Sequence, residues 1–343
     1  MKILLIKRGA IGDLLMATPL VRQLKQQLNC PLDIIVGKSA SAALILNPYL
    51  DKQFILPDEF FTLRGIANLA RVLLSLRKQY DYVFVLDKHW YFNCMAHLVG
   101  AKVIGYTRDM ISNIVLHKKI IYNDVNRYHG LYYLDLLRAS QLAEVDYTDL
   151  KLDLMISTTD KLVVEEFIFQ NKLTDYIVVV NSGGNNSYEQ DGLRMLPISK
   201  AIELVKLLLE QGNRVLLLGA KVDSMHYQKI CESFPDNQNL YNLAGKFNLA
   251  ASSYLIGRAT HFYTTDCGAM HLGVAAGALE KMTAFFGPSN PGHILPAKWL
   301  SQVAIWSDSE IYSPSYQLDG SRQRIEPQYF KHLELHRHLP ISS

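Results

Sequence analysis

With 343 residues, the chain is long enough for two domains of ordinary size, each burying its own core. It is 49% hydrophobic and 20% charged, with a formal net charge of +3, a balance that excludes disorder and gives no reason to expect a nucleic-acid partner. Cys30, Cys94, Cys231 and Cys267 show no CxxC spacing, which argues against a zinc site and a disulfide framework and fits a reducing, cytoplasmic setting.

The opening "MKILLIKRGAIG" is interrupted too soon by Lys7 and Arg8 for a signal peptide and reads as a first strand. No apolar run approaches the roughly 20 residues of a membrane span, so any membrane contact is expected to be peripheral. "KILLIK", "LDIIVG", "QFILP", "YVFVLD" and "KVIGY" are short β-rich runs separated by helical patterns such as "IANLARVLLSLRKQY". After a polar stretch at 155–175 the pattern begins again. "YIVVVNSG", "RVLLLGA", "LYNLAG", "HFYTTD" and "MTAFFG" alternate with "PISKAIELVKLLLEQ", "KVDSMHYQKICESF", "FNLAASSYLIGRA" and "GAMHLGVAAG". Alternation of this kind implies α/β architecture with doubly wound parallel sheets in two halves. The expected boundaries are 1–155, 156–325 and a tail, 326–343. That tail follows the turn-rich "SPSYQLDGSRQRIEP" and carries a last helical pattern, "PQYFKHLELHRHL", which either closes the second domain or crosses back to the first. Lys and Arg outnumber Asp and Glu by 5 before residue 155 and fall short by 2 after it. This fits ordinary solvated surface or a first half that faces an anion.

Ligands of such folds gather at strand carboxyl ends, and four of these ends carry unusual residues. In "KRGAIGDLL", Gly9 and Gly12 suit a tight turn and Asp13 is either a helix N-cap or a functional carboxylate. The two glycines fall short of the dinucleotide fingerprint. Pro19 is expected to kink the helix or to mark an irregular first segment. In the loop from Asn181 to Leu193, Ser182, Gly183 and Gly184 offer hydroxyl and N–H groups to an anion and Arg194 adds a positive charge; the alternative is a plain surface loop. Asp223 in "LLLGAKVD" suits either ribose hydroxyls or a cap. "TTDCGAMH" places Asp266 at an expected N-cap, with the N–H groups of Cys267, Gly268 and Ala269 open to a phosphate and His271 one turn on. Taken alone, His271 reads as a satisfied structural histidine and Cys267 as a small buried filler.

In combination, these motifs resemble glycosyltransferase family 9, the lipopolysaccharide heptosyltransferases. "DCGAMHLGVAAGA" followed by "MTAFFGPSNP" is similar to that family's D-[TS]-G-x-x-H-L-A-A-A-x-G and A-L-F-G-P-T-x-P. "KILLIKRGAIGDLLMATPLVRQLK" looks like its opening, "RMLP" like its K-x-W-P, and "GAKVD" like its acidic donor position. The resemblance implies a GT-B fold, two facing Rossmann-like domains with a cleft between them. It also implies an inverting, metal-independent transferase with no cofactor. Such an enzyme takes heptose from ADP-L-glycero-D-manno-heptose to the lipid A–Kdo or heptosyl acceptor of the inner core. It would be a cytoplasmic monomer, peripheral on the inner membrane.

By position, Asp13 becomes the general base. Lys7, Arg194, Ser182, Gly183 and the helix start at Cys267, Gly268 and Ala269 would stabilise the leaving diphosphate, joined by His271. Asp266 belongs to the same donor site, Asp223 would meet the ribose, and Phe247 would line the base pocket. On the acceptor side, Arg108, His117, Lys118, Lys119, Arg127 and His129 form a basic cluster, or a solvated loop. Gly12, Lys88, His89 and Trp90 lie at strand ends near the same place. Arg194 stands where lysine is usual, Leu196 where tryptophan is, and Cys267 where a hydroxyl residue is. These departures, with the longer 182–194 loop, keep open another nucleotide sugar, another glycan or protein acceptor, and a catalytically silent binding subunit.

Overall fold

The computed structural model describes residues 1–122, 127–183, 193–308 and 329–339. The chain divides into two compact units, Met1–Met155 and Ile156–Ser343. The first contains β1 (Ile3–Lys7), β2 (Leu32–Gly37), β3 (Lys52–Leu56), β4 (Tyr82–Val85), β5 (Lys102–Thr107) and β6 (Lys118–Ile121). The second contains β7 (Ile177–Val180), β8 (Val215–Leu217), β9 (Leu240–Asn242), β10 (His261–Thr265), β11 (Met282–Phe286) and β12 (Ala304–Ser307). All pairings are parallel, in the orders β3-β2-β1-β4-β5-β6 and β12-β11-β10-β7-β8-β9. Each unit is thus a doubly wound Rossmann-like sheet. Among the described residues no helix is long and apolar enough to cross a membrane.

The central strands are buried on both faces because helices cover both, which is why they read as unbroken apolar runs. In the first unit Leu4, Ile6, Ile35, Val83 and Val85 pack against Leu69, Leu73 and Phe92. In the second, Ile177, Val179, Val215 and Leu217 pack against Leu204, Leu208, Phe330 and Leu333.

Several expectations need correction. Strands β6 and β12 had no place in the sequence reading. Both are edge strands with partly exposed residues, so neither the apolar run nor the alternation that marks a strand is present. The polar stretch at 155–175 contains a helix, Thr158–Gln170, started by a capping box in which Ser157 and Asp160 satisfy each other's backbone N–H groups. The last helical pattern is, within 329–339, only a 3-10 turn, Leu335–His338, yet Phe330, Leu333 and Leu335 are buried in the second unit's core. Most of the 182–194 loop, including Gly184, and the segment "SPSYQLDGSRQRIEP" lie outside the described residues.

Pro19 does not break its helix, which runs from Ile11 to Leu28. Proline supplies no N–H to the Leu15 carbonyl four residues back, but the Thr18 hydroxyl donates to that carbonyl at 2.7 Å. Neither Gly9 nor Gly12 takes a left-handed φ, and Gly12 lies inside the helix, so the expected tight turn does not use glycine's freedom there.

Candidate functional site

At the end of β1, Lys7 is buried and its Nζ lies 3.2 Å from Asp13 Oδ2 and 3.4 Å from Asp87 Oδ1. Asp13 is not the N-cap. The cap is Ala10, which has no side-chain bond, and Asp13 stands in the first turn of Ile11–Leu28. A carboxylate there gains from the helix dipole and keeps its oxygens for other partners. One accepts a bond from the Tyr133 hydroxyl at 3.3 Å. Asp87, just past β4, accepts the Arg8 N–H at 2.6 Å through its other oxygen. The sheet order reverses between β1 and β4, so these two strand ends are neighbours at the topological switch point.

Burial works against the charge on Asp13, but Lys7, Lys88 and His129 outweigh it and hold the carboxyl far below its ordinary range. Burial also opposes the charge on Lys7, and Asp13 and Asp87 together raise its ammonium above the ordinary value. The result is a half-buried carboxylate that stays ionised, with a buried cation between it and a second carboxylate.

The basic cluster is divided by strand register. Ile104 pairs with Lys118 and Thr107 with Ile121, so residues at the start of β6 lie towards the amino end of β5. Lys118 donates to Gln141, Lys119 bonds Asn113, and His117 accepts the Val103 N–H, all local contacts away from Asp13's end. They are not part of one patch with the rest. At the carboxyl end Lys88 donates to the Tyr122 hydroxyl at 2.6 Å, Arg108 lies over the Tyr122 ring, and His129 packs beside it. Arg127 pairs with Asp135 and lies over Tyr132. His89 caps the helix Trp90–Ala96 and stacks on Trp90. Asp87, Tyr122 and Tyr133 were missed. "YVFVLD" ends on an aspartate just as "HFYTTD" does, so the signal for Asp87 was present; for the tyrosines there was none.

In the second unit the order reverses between β7 and β10, and the same logic brings their ends together. The Ser182 N–H donates to Thr265 Oγ1 at 3.3 Å and the Thr265 hydroxyl returns a bond to Ser182 O at 2.7 Å. Gly183 follows directly. Asn181, buried at the end of β7, clasps Leu196 through both its amide groups, so Leu196 is a core residue held by its backbone.

Beyond β10, Asp266 is not a cap either. Cys267 is the N-cap of the helix Gly268–Ala275, without a side-chain cap bond, and Asp266 is buried against Arg194, 3.1 Å from its Nη1. Burial pushes the Cys267 thiol up against the pull of the Ala269 amide and Thr264, so it remains neutral. His271 is buried within the first turns of that helix, whose start carries the Gly268 and Ala269 amides. Asp223 accepts the Ala220 N–H at 2.8 Å, which makes it a local cap; burial raises its pKa, opposed by Ala220, Ser182 and His226. A Cβ on Gly219 would come within 2.7 Å of the Asp223 carboxylate, so only glycine lets the β8 end approach that group. Phe247, half-buried past β9, packs edge-on against Phe167 at 5.5 Å.

The model of glycosyltransferase family 9 (heptosyltransferase) matches residues 69–317. The chain is 26% identical over 315 residues to lipooligosaccharide heptosyltransferase 2 of Haemophilus ducreyi, covering 89% of this chain and 88% of that protein. Its fold is similar to that of a family 9 glycosyl transferase from Veillonella parvula, with a TM-score of 0.73 at 19% identity over 89% of this chain and 85% of the other. It is also similar to the Escherichia coli ADP-heptose lps heptosyltransferase II, with a TM-score of 0.69 at 22% identity over 90% of each chain. Two switch-point sites on two parallel sheets, in the order of the family's motifs and under a family match over most of the length, lead to one conclusion: the chain belongs to glycosyltransferase family 9 and is a glycosyltransferase of the heptosyltransferase type.

Proposed function

We propose that the chain transfers heptose from ADP-L-glycero-D-manno-heptose to the anionic inner core of a lipid A-linked acceptor, with inversion and without a metal, at the cytoplasmic face of the inner membrane. The observation that carries this reading is Asp13, a carboxylate at the β1 switch point kept ionised by Lys7. In the transfer, the acceptor oxygen attacks the anomeric carbon and the bond to the diphosphate oxygen breaks. As the new bond forms, the hydroxyl becomes acidic and gives its proton to Asp13, and the nucleoside diphosphate leaves with the electron pair. The low basicity of Asp13 suits a proton that moves late.

On the donor side, the Gly268 and Ala269 amides at the start of Gly268–Ala275, with Ser182, Gly183 and His271, would receive the diphosphate. Arg194 is already neutralised in part by Asp266, so it would contribute most after turning from that carboxylate. Asp223 would meet the ribose through its remaining capacity, and Phe247 the base. Lys88, His129 and Arg108 around Tyr122, with Arg127 and His89, would hold the acceptor's acidic groups.

The test is a mass shift on truncated lipopolysaccharide core incubated with ADP-heptose, alongside Asp13→Asn. Loss of transfer in the variant by about 10²–10⁴-fold, with ADP binding kept, is the expected result. Unchanged turnover removes Asp13 from the role. Cys267, a neutral thiol where the family offers a hydroxyl, favours a second reading with a different nucleotide sugar. Calorimetry with ADP, GDP, UDP and dTDP decides between the two.

A further inference from the structure

We infer that Trp90, with His89 and Phe61 beside it, is a stacking platform for a sugar ring of the acceptor, and that Arg8 meets a carboxylate on that sugar; this rests on the reading above that the acceptor is an acidic glycan. The platform is built from two strand ends of the first unit. Phe61 follows β3 and His89 follows β4, and the sheet order puts β2 and β1 between those strands. Their rings nevertheless meet edge to face with centroids 5.1 Å apart, so the segment after β3 reaches past two strand ends at the carboxyl edge. His89 then stacks on Trp90 at 5.6 Å, with 29° between the planes.

These rings are held in place from beneath. Phe61 leans on Tyr91 at 5.7 Å and on the buried Phe92 at 5.8 Å, and His89 Nδ1 accepts the Tyr91 N–H at 3.2 Å, which fixes the imidazole. Burial and Arg8 lower the pKa of His89, so the imidazole is neutral at pH 7 and leaves the positive charge here to Arg8. Trp90 is still 41% exposed and Phe61 42%. An indole covered by His89 on one side and wet elsewhere has apolar area left for a ligand, and a ligand can take it without ordering loose side chains. A pyranose offers an apolar C–H face to such a ring and keeps its hydroxyl rim in water. The Arg8 guanidinium lies over Phe61 at 5.3 Å, where it can pair with a carboxylate on the same sugar. Its backbone N–H is on Asp87 at 2.6 Å, and Asp87 shares Lys7 with Asp13. A sugar stacked on Trp90 therefore lies at the strand ends that carry the proposed base.

Acrylamide quenching of tryptophan emission tests this, because Trp90 is exposed whereas the other two tryptophans are buried, Trp299, and half-buried, Trp306. Deacylated truncated lipopolysaccharide core, added without donor, should shield wild-type emission from the quencher and have no effect on the emission of Trp90→Tyr. Trp90→Leu should raise the KM for that oligosaccharide about tenfold, with the ADP Kd and the melting temperature unchanged, and Trp90→Tyr, which keeps a ring, should recover most of the loss. An unchanged KM in Trp90→Leu overturns the inference. So does shielding that grows with protein concentration alone, which would assign the rings to a second copy. Heptose transfer to the oligosaccharide with Trp90 unshielded removes the platform and leaves the function; shielding without any transfer sinks the functional reading and leaves the platform standing.

Discussion

Lys7 is bonded to two carboxylates, 3.2 Å from Asp13 and 3.4 Å from Asp87, and its charge makes their proximity tolerable. Asp13's pKa is lowered in the fold, so its contribution to stability is present above the ordinary carboxylate pKa and is lost only as pH falls through the depressed value. Lys7's is raised, so its contribution is lost only as pH climbs through a value above the ordinary lysine range. Both charges therefore persist across neutral pH, and transfer should show no acid limb from Asp13 above about pH 4. Lys7→Met removes the cation shared by the buried Asp87 and Asp13, leaving Asp13 with Lys88 and His129 alone. Chemical denaturation should report a loss of about 3–5 kcal/mol. In the same variant the acid limb of kcat/KM should move to higher pH; a profile that stays in place would show that Lys7 does not set Asp13's ionisation.

Among the elements, the helix Ile11–Leu28 carries the site because it starts beside the β1 end and stays whole through Pro19. Thr18 performs two tasks there, donating to Leu15 O and accepting the Asp153 N–H at 2.9 Å. Thr18→Val keeps the shape and removes both bonds, leaving the buried Leu15 carbonyl and the part-buried Asp153 N–H unpaired, and urea denaturation should show a loss of about 1–3 kcal/mol. A value near zero would mean that another group satisfies the Leu15 carbonyl. The bond to Leu15 O is local, three residues back, whereas the bond from Asp153 has no local sign because its partner is far along the chain. The N-caps show the same limit. Asp13 and Asp266 both stood where a cap is expected, yet Ala10 and Cys267 take the position, because the strand-to-helix turns at these ends are fixed by packing at the switch points rather than by the best capping side chain.

For the whole molecule, each unit has its own core and its own switch point, so donor binding should register mainly in one of them. Hydrogen exchange with saturating ADP should slow most at 181–183, 219–223 and 266–271. At about 100 times its Kd the nucleotide should add about 2.7 kcal/mol to stability. Slowing confined to residues before 155 would place the nucleotide in the wrong half. Read alone, the sequence determined that both halves are parallel α/β, because strands covered on both faces must be continuously apolar and the helices between them periodic. It also determined where the chemistry collects, since an apolar run that stops on Asp, Ser or Gly marks a strand end. Only the tertiary structure decided which ends meet. Asp87 joins Lys7 because β4 pairs with β1, and Thr265 joins Ser182 because β10 pairs with β7; such pairings depend on contacts roughly 80 residues apart, which no local pattern encodes. The edge strands β6 and β12 were likewise settled by pairing, since half-exposed residues carry too little apolar signal to announce a strand, and it was β6's register that separated Lys118 and Lys119 from the site.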